Sequence, residues 1–241
     1  MAEKYDENSR RPEDVKRLFN NIAPSYDRLN RIVSFGLDKG WRREVAHETW
    51  EVECENILDV CAGSGDLSLE LHRFWKGQAH IDALDFSKEL IEAGRRKVEE
   101  AGVAEHISFI EGDALAMPFD DESYDALTIG FGFRNLQDRK KALAEFLRVL
   151  QPGGLLVVLE VTQPRRFLRP LYYLYMLRIV PFIAAVMRAD KEAYKYLGRT
   201  IRAFPDAPEF AEMIKEAGFQ EVKFRRLGLG TVAIHTGYKQ A

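Results

Sequence analysis

The stretch Ile57-Leu58-Asp59-Val60-Cys61-Ala62-Gly63-Ser64-Gly65-Asp66 decides how the chain is read. An apolar run ends in two glycines one residue apart, the pattern of a buried strand that breaks into a tight turn and then a helix. With no side chain at Gly63 or Gly65, the backbone N–H groups of the turn can approach a ligand closely. A dinucleotide-binding turn calls for a third glycine three residues after the second, and that position holds Ser68. Asp59 precedes the turn. A carboxylate there suits a ligand bearing an ammonium or sulfonium group and would repel a pyrophosphate.

Downstream of the turn, strand and helix signals alternate. They predict a strand over 56–61, a helix over 66–76, a strand Ile81–Asp85 and a helix opened by Ser87 and running to Ala101. Strands Ile107–Glu111 and Tyr124–Gly130 follow, then a helix over 138–150, stopped before Pro152-Gly153-Gly154, and a strand Leu155–Val161. Repeated units with short loops imply an α/β fold, a mostly parallel sheet with helices on both faces. The tail breaks this rhythm. Asp206 caps a helix that runs to Ala217-Gly218, and Val222–Leu227 and Thr231–Tyr238 read as two further strands that pair at the sheet's edge, seven in all.

Upstream, residues 13–50 read as a helical preface. Val15, Leu18, Phe19 and Ile22 recur at helical spacing until Pro24, a second piece covers Tyr26 to Val33, and a third begins near Asp38 and carries Trp41, Val45 and Trp50. Residues 164–203 form an insertion rich in Tyr, Leu and Ile. Arg169 and Arg178 interrupt it, so it is expected to be a lid and not a membrane span. We take residues 1–241 as a single domain built around the glycine turn.

Composition narrows the function. The 35 basic and 38 acidic residues give a formal charge of -3, which offers no field for a nucleic acid and points to a small substrate. Cys54 and Cys61 lie seven apart with no Cys-x-x-Cys and no histidine cluster, so neither a metal site nor a disulfide framework is expected. A reduced cytosolic setting fits, and residues 1–21 lack the apolar run of a signal peptide.

Three more strand ends carry candidate ligand-binding groups. Asp85 closes its strand twenty residues after Gly65, with Phe86 beside it, and can accept hydrogen bonds from a ribose diol. Gly112-Asp113-Ala114 follows the next strand, where Asp113 either accepts from an adenine amino group or makes an ordinary turn. Gly130-Phe131-Gly132-Phe133-Arg134-Asn135 follows Tyr124–Gly130 and reads as an active-site loop. All of these ends point into one crevice.

The Asp-x-x-x-Gly-x-Gly turn resembles the first motif of class I S-adenosylmethionine-dependent methyltransferases, whose sheet is Rossmann-like. Further blocks resemble the ubiquinone/menaquinone biosynthesis C-methyltransferase family: Ile22-Ala23-x-x-Tyr26-Asp27-x-x-Asn30-x-x-x-Ser34-x-Gly36, Trp41-Arg42, Gly130 to Asn135, Arg148-Val-Leu-x-Pro-Gly-Gly154, Ala193-Tyr194-x-Tyr196-Leu197 and Val232-Ala-Ile-His235-x-Gly237-x-Lys239. The resemblance runs from about residue 14 to residue 239. It implies S-adenosyl-L-methionine as cofactor and methylation of a ring carbon of a prenylated quinol. It places cofactor contacts on Ser64, Asp85, Asp113 with Ala114, and Gly130. Gly130 stands where some family members have Ser, which leans the reading toward the menaquinone branch. Leu227-Gly228-Leu229-Gly230 departs from the family's Leu-Thr-x-Gly.

Within that reading Arg134 stabilises a phenolate or orients a water, while His235 and Tyr194 are alternative proton acceptors, against a core role for the histidine. Tyr26 and Asp27 close over the cofactor or cap a helix. Arg42 pairs with the methionine carboxylate or with a neighbouring Asp. The expected partners are the quinol and, through the apolar insertion, the surface of a membrane at its cytoplasmic face; a homodimer is left open, and nucleic acid is not expected. The competing readings are a small-molecule O- or N-methyltransferase, a non-catalytic member of a quinone-biosynthesis assembly docked through residues 167–187, and a nicotinamide dehydrogenase.

Overall fold

A computed structural model of the chain describes residue 31 and residues 34–164, 167–180 and 198–241. The first helix of the preface, Tyr26, Asp27, most of the second half of the insertion and Tyr194 lie outside the described residues.

Helix α1 (Asp38–Glu48) precedes the sheet. The apolar run becomes β1 (Asn56–Val60), in which every residue after Asn56 is buried, and the glycine turn leads into α2 (Asp66–Trp75). Then come β2 (His80–Asp85), α3 (Lys88–Glu100), β3 (Ile107–Glu111) and β4 (Tyr124–Gly130). After a short 3-10 turn, Phe133–Asn135, the chain forms α4 (Arg139–Val149) and β5 (Leu150–Val161). The insertion contributes α5 (Arg169–Leu174), continued by a π turn over Tyr175–Ile179. The end of the chain supplies α6 (Ala207–Glu216), β6 (Gln220–Leu227) and β7 (Val232–Tyr238).

The two expected caps, Ser87 and Asp206, are present, and Asp138, expected as the first residue of its helix, is a third. Ser87 Oγ accepts from Leu90 N, Asp138 Oδ1 accepts from Lys141 N, and Asp206 forms a reciprocal box with Glu209. Each is worth about 1 kcal/mol because it satisfies a helix N–H that has no partner within the helix.

The sheet runs β3-β2-β1-β4-β5-β7-β6. β1 to β5 pair in parallel, whereas β7 is antiparallel to both β5 and β6, so the last two strands close the edge as expected. Most boundaries fall within two residues of expectation, and that of β5 does not. β5 starts at Leu150, five residues before the expected Leu155, and runs through Pro152-Gly153-Gly154 with a register shift opposite Tyr124 and Ala126. The Pro-Gly-Gly sequence makes an irregularity inside a strand, with Gly153 at φ +79°, where it was expected to separate helix from strand.

Strand alternation sorts the core into two layers. Ile57, Ile81, Ala83, Leu155 and Val157 face α1, α2 and α3; Leu58, Val60, Leu84, Leu127 and Val158 face α4 and α6. From β1 the chain winds outward to β2 and β3, then crosses to β4 on the other side. The topological switch therefore lies between β1 and β4, the place where an open α/β sheet leaves a crevice at its strand ends.

Candidate active site

The crevice is built from the glycine turn. Cys61, Gly63 and Gly65 have φ of 54°, 58° and 77°, a left-handed run that only the glycines adopt without strain. Space as well as φ dictates Gly65, because a Cβ there would come within 2.6 Å of the Phe109 ring. Asp85 anchors the turn across the crevice: its Oδ2 accepts from Gly63 N at 2.8 Å and its Oδ1 from Ser87 N at 2.9 Å. Ser64 Oγ accepts from Lys97 Nζ at 2.9 Å, and the same ammonium pairs with Asp66 at 2.7 Å.

Asp59 sits beneath the turn at 0 % exposure. Ser68 Oγ donates to its Oδ2 and Thr128 Oγ1 to its Oδ1, the latter because Thr128 of β4 is its register partner. Burial pushes its carboxyl up to about 7 even though those two hydrogen bonds pull it down. Asp59, Ser64, Asp66, Gly130 and Arg42 line a small cavity of about 20 Å³.

A second cavity, of about 330 Å³, opens beside the first. Its described lining is largely apolar and aromatic: Phe35, Trp41, Phe131, Tyr172, Tyr175 and Leu229, with Arg42 and Arg134 as its cations. Arg42 borders both spaces. It is paired with Asp38 at 2.5 Å and lies 3.8 Å from Asp66, so of its two expected partners the structure shows the neighbouring acid. Burial raises the Asp38 pKa, but the hydrogen bonds from Arg42 and Ser34 prevail and hold it below the usual range.

Arg134 enters the larger cavity from the Phe133–Asn135 turn. Its Nη1 pairs with Glu160 Oε1 at 2.9 Å and donates to Phe131 O, and its backbone N donates to Glu160 Oε2 at 3.0 Å. Burial pushes the nearby Tyr172 phenol up, with Arg134 opposing.

Other expected residues fall elsewhere. His235 corrects one expectation: it lies in the middle of β7 at 1 % exposure, between the rings of Phe210 and Phe224, and lines neither cavity. Its Nε2 meets Ala207 O at 2.9 Å, so that nitrogen carries the proton and donates. The ring is a core group and not a proton acceptor of the crevice. Asp113 is exposed and accepts from Leu115 N, the turn-forming alternative, above a buried Ala114. Phe86 follows Asp85 half-buried and lines neither cavity. Tyr26 and Tyr194 lie outside the described residues.

With this geometry in hand, a protein-family comparison is decisive: the model of the ubiE/COQ5 methyltransferase family matches residues 4–239. The chain belongs to this family. A demethylmenaquinone methyltransferase of Roseiflexus castenholzii is 42 % identical over 229 residues, covering 95 % of this chain and 94 % of that protein. The ubiquinone/menaquinone biosynthesis C-methyltransferase UbiE of Roseobacter denitrificans is 36 % identical, covering 93 % and 90 %. Among solved structures, a SAM-dependent methyltransferase from Thermotoga maritima, described as a possible histamine N-methyltransferase, overlays with a TM-score of 0.66 at 18 % identity, covering 93 % of this chain and 99 % of that one. That likeness shows the fold, which is the class I methyltransferase fold.

For a methyltransferase of this family, the crevice has donors and acceptors that fit S-adenosylmethionine. The small cavity is lined by Asp59, an acid that could face an ammonium, and Arg42, a cation that could face a carboxylate, while Asp85 stands at the end of β2, where a carboxylate could accept from a diol. A side chain at Gly130 would crowd that space, since its Cβ would lie 3.2 Å from Leu67. Sequence reasoning missed Glu160, Lys97, Tyr172 and Tyr175. Glu160 had a signal, a lone charge at the end of Leu155-Leu156-Val157-Val158-Leu159. The two tyrosines had none, belonging to a cluster of three in an insertion where spacing does not tell cavity from core.

Proposed function

We infer that this chain transfers a methyl group from S-adenosylmethionine to a ring carbon of a prenylated quinol, and that the substrate is demethylmenaquinol. The observation that carries this reading is the pair of adjoining cavities, a small polar one at the glycine turn and a larger apolar one beside it, with Arg42 as their common wall. A bicyclic aromatic ring suits the larger space, whose volume is at the lower end of the range for small-molecule pockets.

The cofactor supplies an electrophilic methyl group on a sulfonium centre. The protein's residues supply position and charge. Asp59, Asp85, Ser64 and the Gly63–Gly65 turn hold the cofactor, with Gly130 leaving it room and Arg42 facing its carboxylate. Trp41, Phe131 and Tyr175 hold the flat ring and keep water from its face. The ring carbon becomes a strong nucleophile when a ring hydroxyl gives up its proton to solvent at the cavity mouth, and Arg134 stabilises the resulting phenolate by charge-assisted hydrogen bonding; the hydrogen of the methylated carbon leaves to the same solvent as the ring regains its aromaticity. A guanidinium stays protonated, so Arg134 acts as this electrostatic partner and does not take the proton itself.

The substrate's tail is apolar, and so is the rim of the larger cavity. Phe35, Leu37 and Leu229 line it and are 74 %, 53 % and 83 % exposed, and Leu171 and Leu174 of α5 are exposed nearby. Among the described residues no helix is long and apolar enough to cross a membrane. This rim is where the chain meets a membrane surface to collect its substrate.

Transfer of labelled methyl to reduced demethylmenaquinone, to the demethylated ubiquinone precursor and to catechol-type phenols tests the reading. Transfer to the first alone is expected. Transfer to both quinols broadens the substrate class, and transfer only to the phenols overturns the quinol assignment.

A further inference from the structure

Glu160 stands out as a buried charge in an otherwise apolar stretch of β5. β5 is apolar from Leu155 to Leu159, and the next residue is a carboxylate at 0 % exposure. Burying such a charge costs several kcal/mol unless a partner and hydrogen bonds offset it. Here three hydrogen bonds meet the carboxylate, and two of them come from one residue. Oε1 accepts from Arg134 Nη1 at 2.9 Å and from Val161 N at 2.8 Å, and Oε2 accepts from Arg134 N at 3.0 Å.

Two of these three bonds clamp a single residue, once by its side chain and once by its backbone. The carboxylate thereby fixes both the direction of the guanidinium and the placement of the Phe133–Asn135 turn that carries it. The loop needs such a clamp: Phe131, whose carbonyl also accepts from Arg134 Nη1, holds φ at 61° without being glycine. Glu160 does not line the larger cavity, whereas Arg134 does.

We propose that Glu160 is the positioning residue that sets Arg134 against the substrate ring hydroxyl. This rests on the role given to Arg134 above. Glu160 acts through Arg134 and touches neither substrate nor cofactor, so its removal affects turnover and leaves cofactor binding alone. Its charge also balances that of Arg134, making the wall of the cavity neutral in sum and able to admit an uncharged quinol.

The test measures kcat, KM for the reduced quinol, cofactor Kd and Tm for wild type, Glu160→Gln, Glu160→Asp, Arg134→Ala and the Arg134→Ala/Glu160→Gln pair. Glu160→Gln should lower kcat about a hundredfold, the scale of a misplaced catalytic group. KM and cofactor Kd should stay within about twofold of wild type. Glu160→Asp, which keeps the charge on a shorter arm, should recover part of the loss. The double variant should turn over no more slowly than Arg134→Ala alone, because a residue acting only through Arg134 has nothing left to position. Additive losses, an unchanged kcat or a matching loss of cofactor affinity overturn the proposal. Should Glu160→Gln fail to fold, Glu160→Asp in the wild-type and Arg134→Ala backgrounds gives the same comparison. A wild type that methylates no quinol overturns the functional reading and this proposal together; an active wild type with additive variants overturns this proposal alone.

Discussion

Ser68 Oγ donates to Asp59 Oδ2 at 2.6 Å, from the first turn of α2 to the buried end of β1. The residue standing where a dinucleotide fold has its third glycine is thus the one that holds the crevice's acid. A glycine at 68 would leave that carboxylate with Thr128 as its remaining side-chain donor. The departure that sets this turn apart from a pyrophosphate site is also what makes room for a buried acid.

Asp59 should make stability depend on pH in a stated direction. Its folded pKa of about 7 lies above the ordinary 3.8, so between those values the native state keeps a proton that the unfolded chain has lost. Stability from this group is full below about pH 4 and declines as pH rises toward 7. Asp59→Asn removes that slope. Denaturant unfolding of both proteins from pH 4.5 to 8 should show the variant gaining on wild type up to about pH 7; a constant gap would contradict the shift.

His235 should behave as a core residue. Burial brings its pKa down to about 4, so the ring stays neutral in the native state while the unfolded chain takes up a proton below about 6.5. Its contribution is present above pH 6.5 and is lost as pH falls toward 4. His235→Phe keeps the edge contact with Phe210 and the stacking on Phe224 but leaves Ala207 O without its donor. A cost of about 1–3 kcal/mol follows, with turnover per folded molecule unchanged. A kcat loss of tenfold or more at full folding would return the histidine to the reaction.

Gly94 reverses a common rule. Alanine usually strengthens a helix by about 1 kcal/mol over glycine, yet a Cβ on Gly94 of α3 would lie 2.3 Å from the Phe109 ring. Gly94→Ala should therefore destabilise by about 1–3 kcal/mol through overpacking. A thermal melt at or above the wild-type midpoint would show that the ring moves aside freely.

Asp85→Asn keeps one carbonyl oxygen, which can serve Gly63 N or Ser87 N but not both as the carboxylate does. Cofactor affinity should fall at least about tenfold, since charge-assisted acceptors are roughly twice as strong as neutral ones. Titration calorimetry with S-adenosylmethionine measures it. Unchanged affinity would leave Asp85 with the turn alone.

Much of this molecule was legible in its sequence where the signal is local. Gly63 and Gly65 break β1 abruptly, Ser87, Asp138 and Asp206 announce their helices, and β3 and β4 have the expected bounds. Legibility failed where meaning depends on a distant partner. Pro152-Gly153-Gly154 looks like a turn until β4 is laid beside it and Tyr124 pairs with Leu150. His235 has the same letter whether it faces a crevice or Phe210, and the register of β7 against β5 decides which. Tyr172 and Arg134 line one cavity though 38 positions separate them, a meeting that no spacing within the insertion encodes.

Arg42 stands between the polar and apolar cavities and belongs to the lining of both. A ligand carboxylate that draws its guanidinium away from Asp38 must also redraw the boundary of the neighbouring space. The two occupants are then not thermodynamically independent: the free energy with which one binds reappears, by linkage, in the affinity of the other. The quinol should bind with a different Kd when S-adenosylhomocysteine is present than when it is absent, and Arg42→Met should erase the difference. Equal values in the native protein would make Arg42 an inert partition. A shift would make it the element through which the enzyme orders the arrival of its substrates.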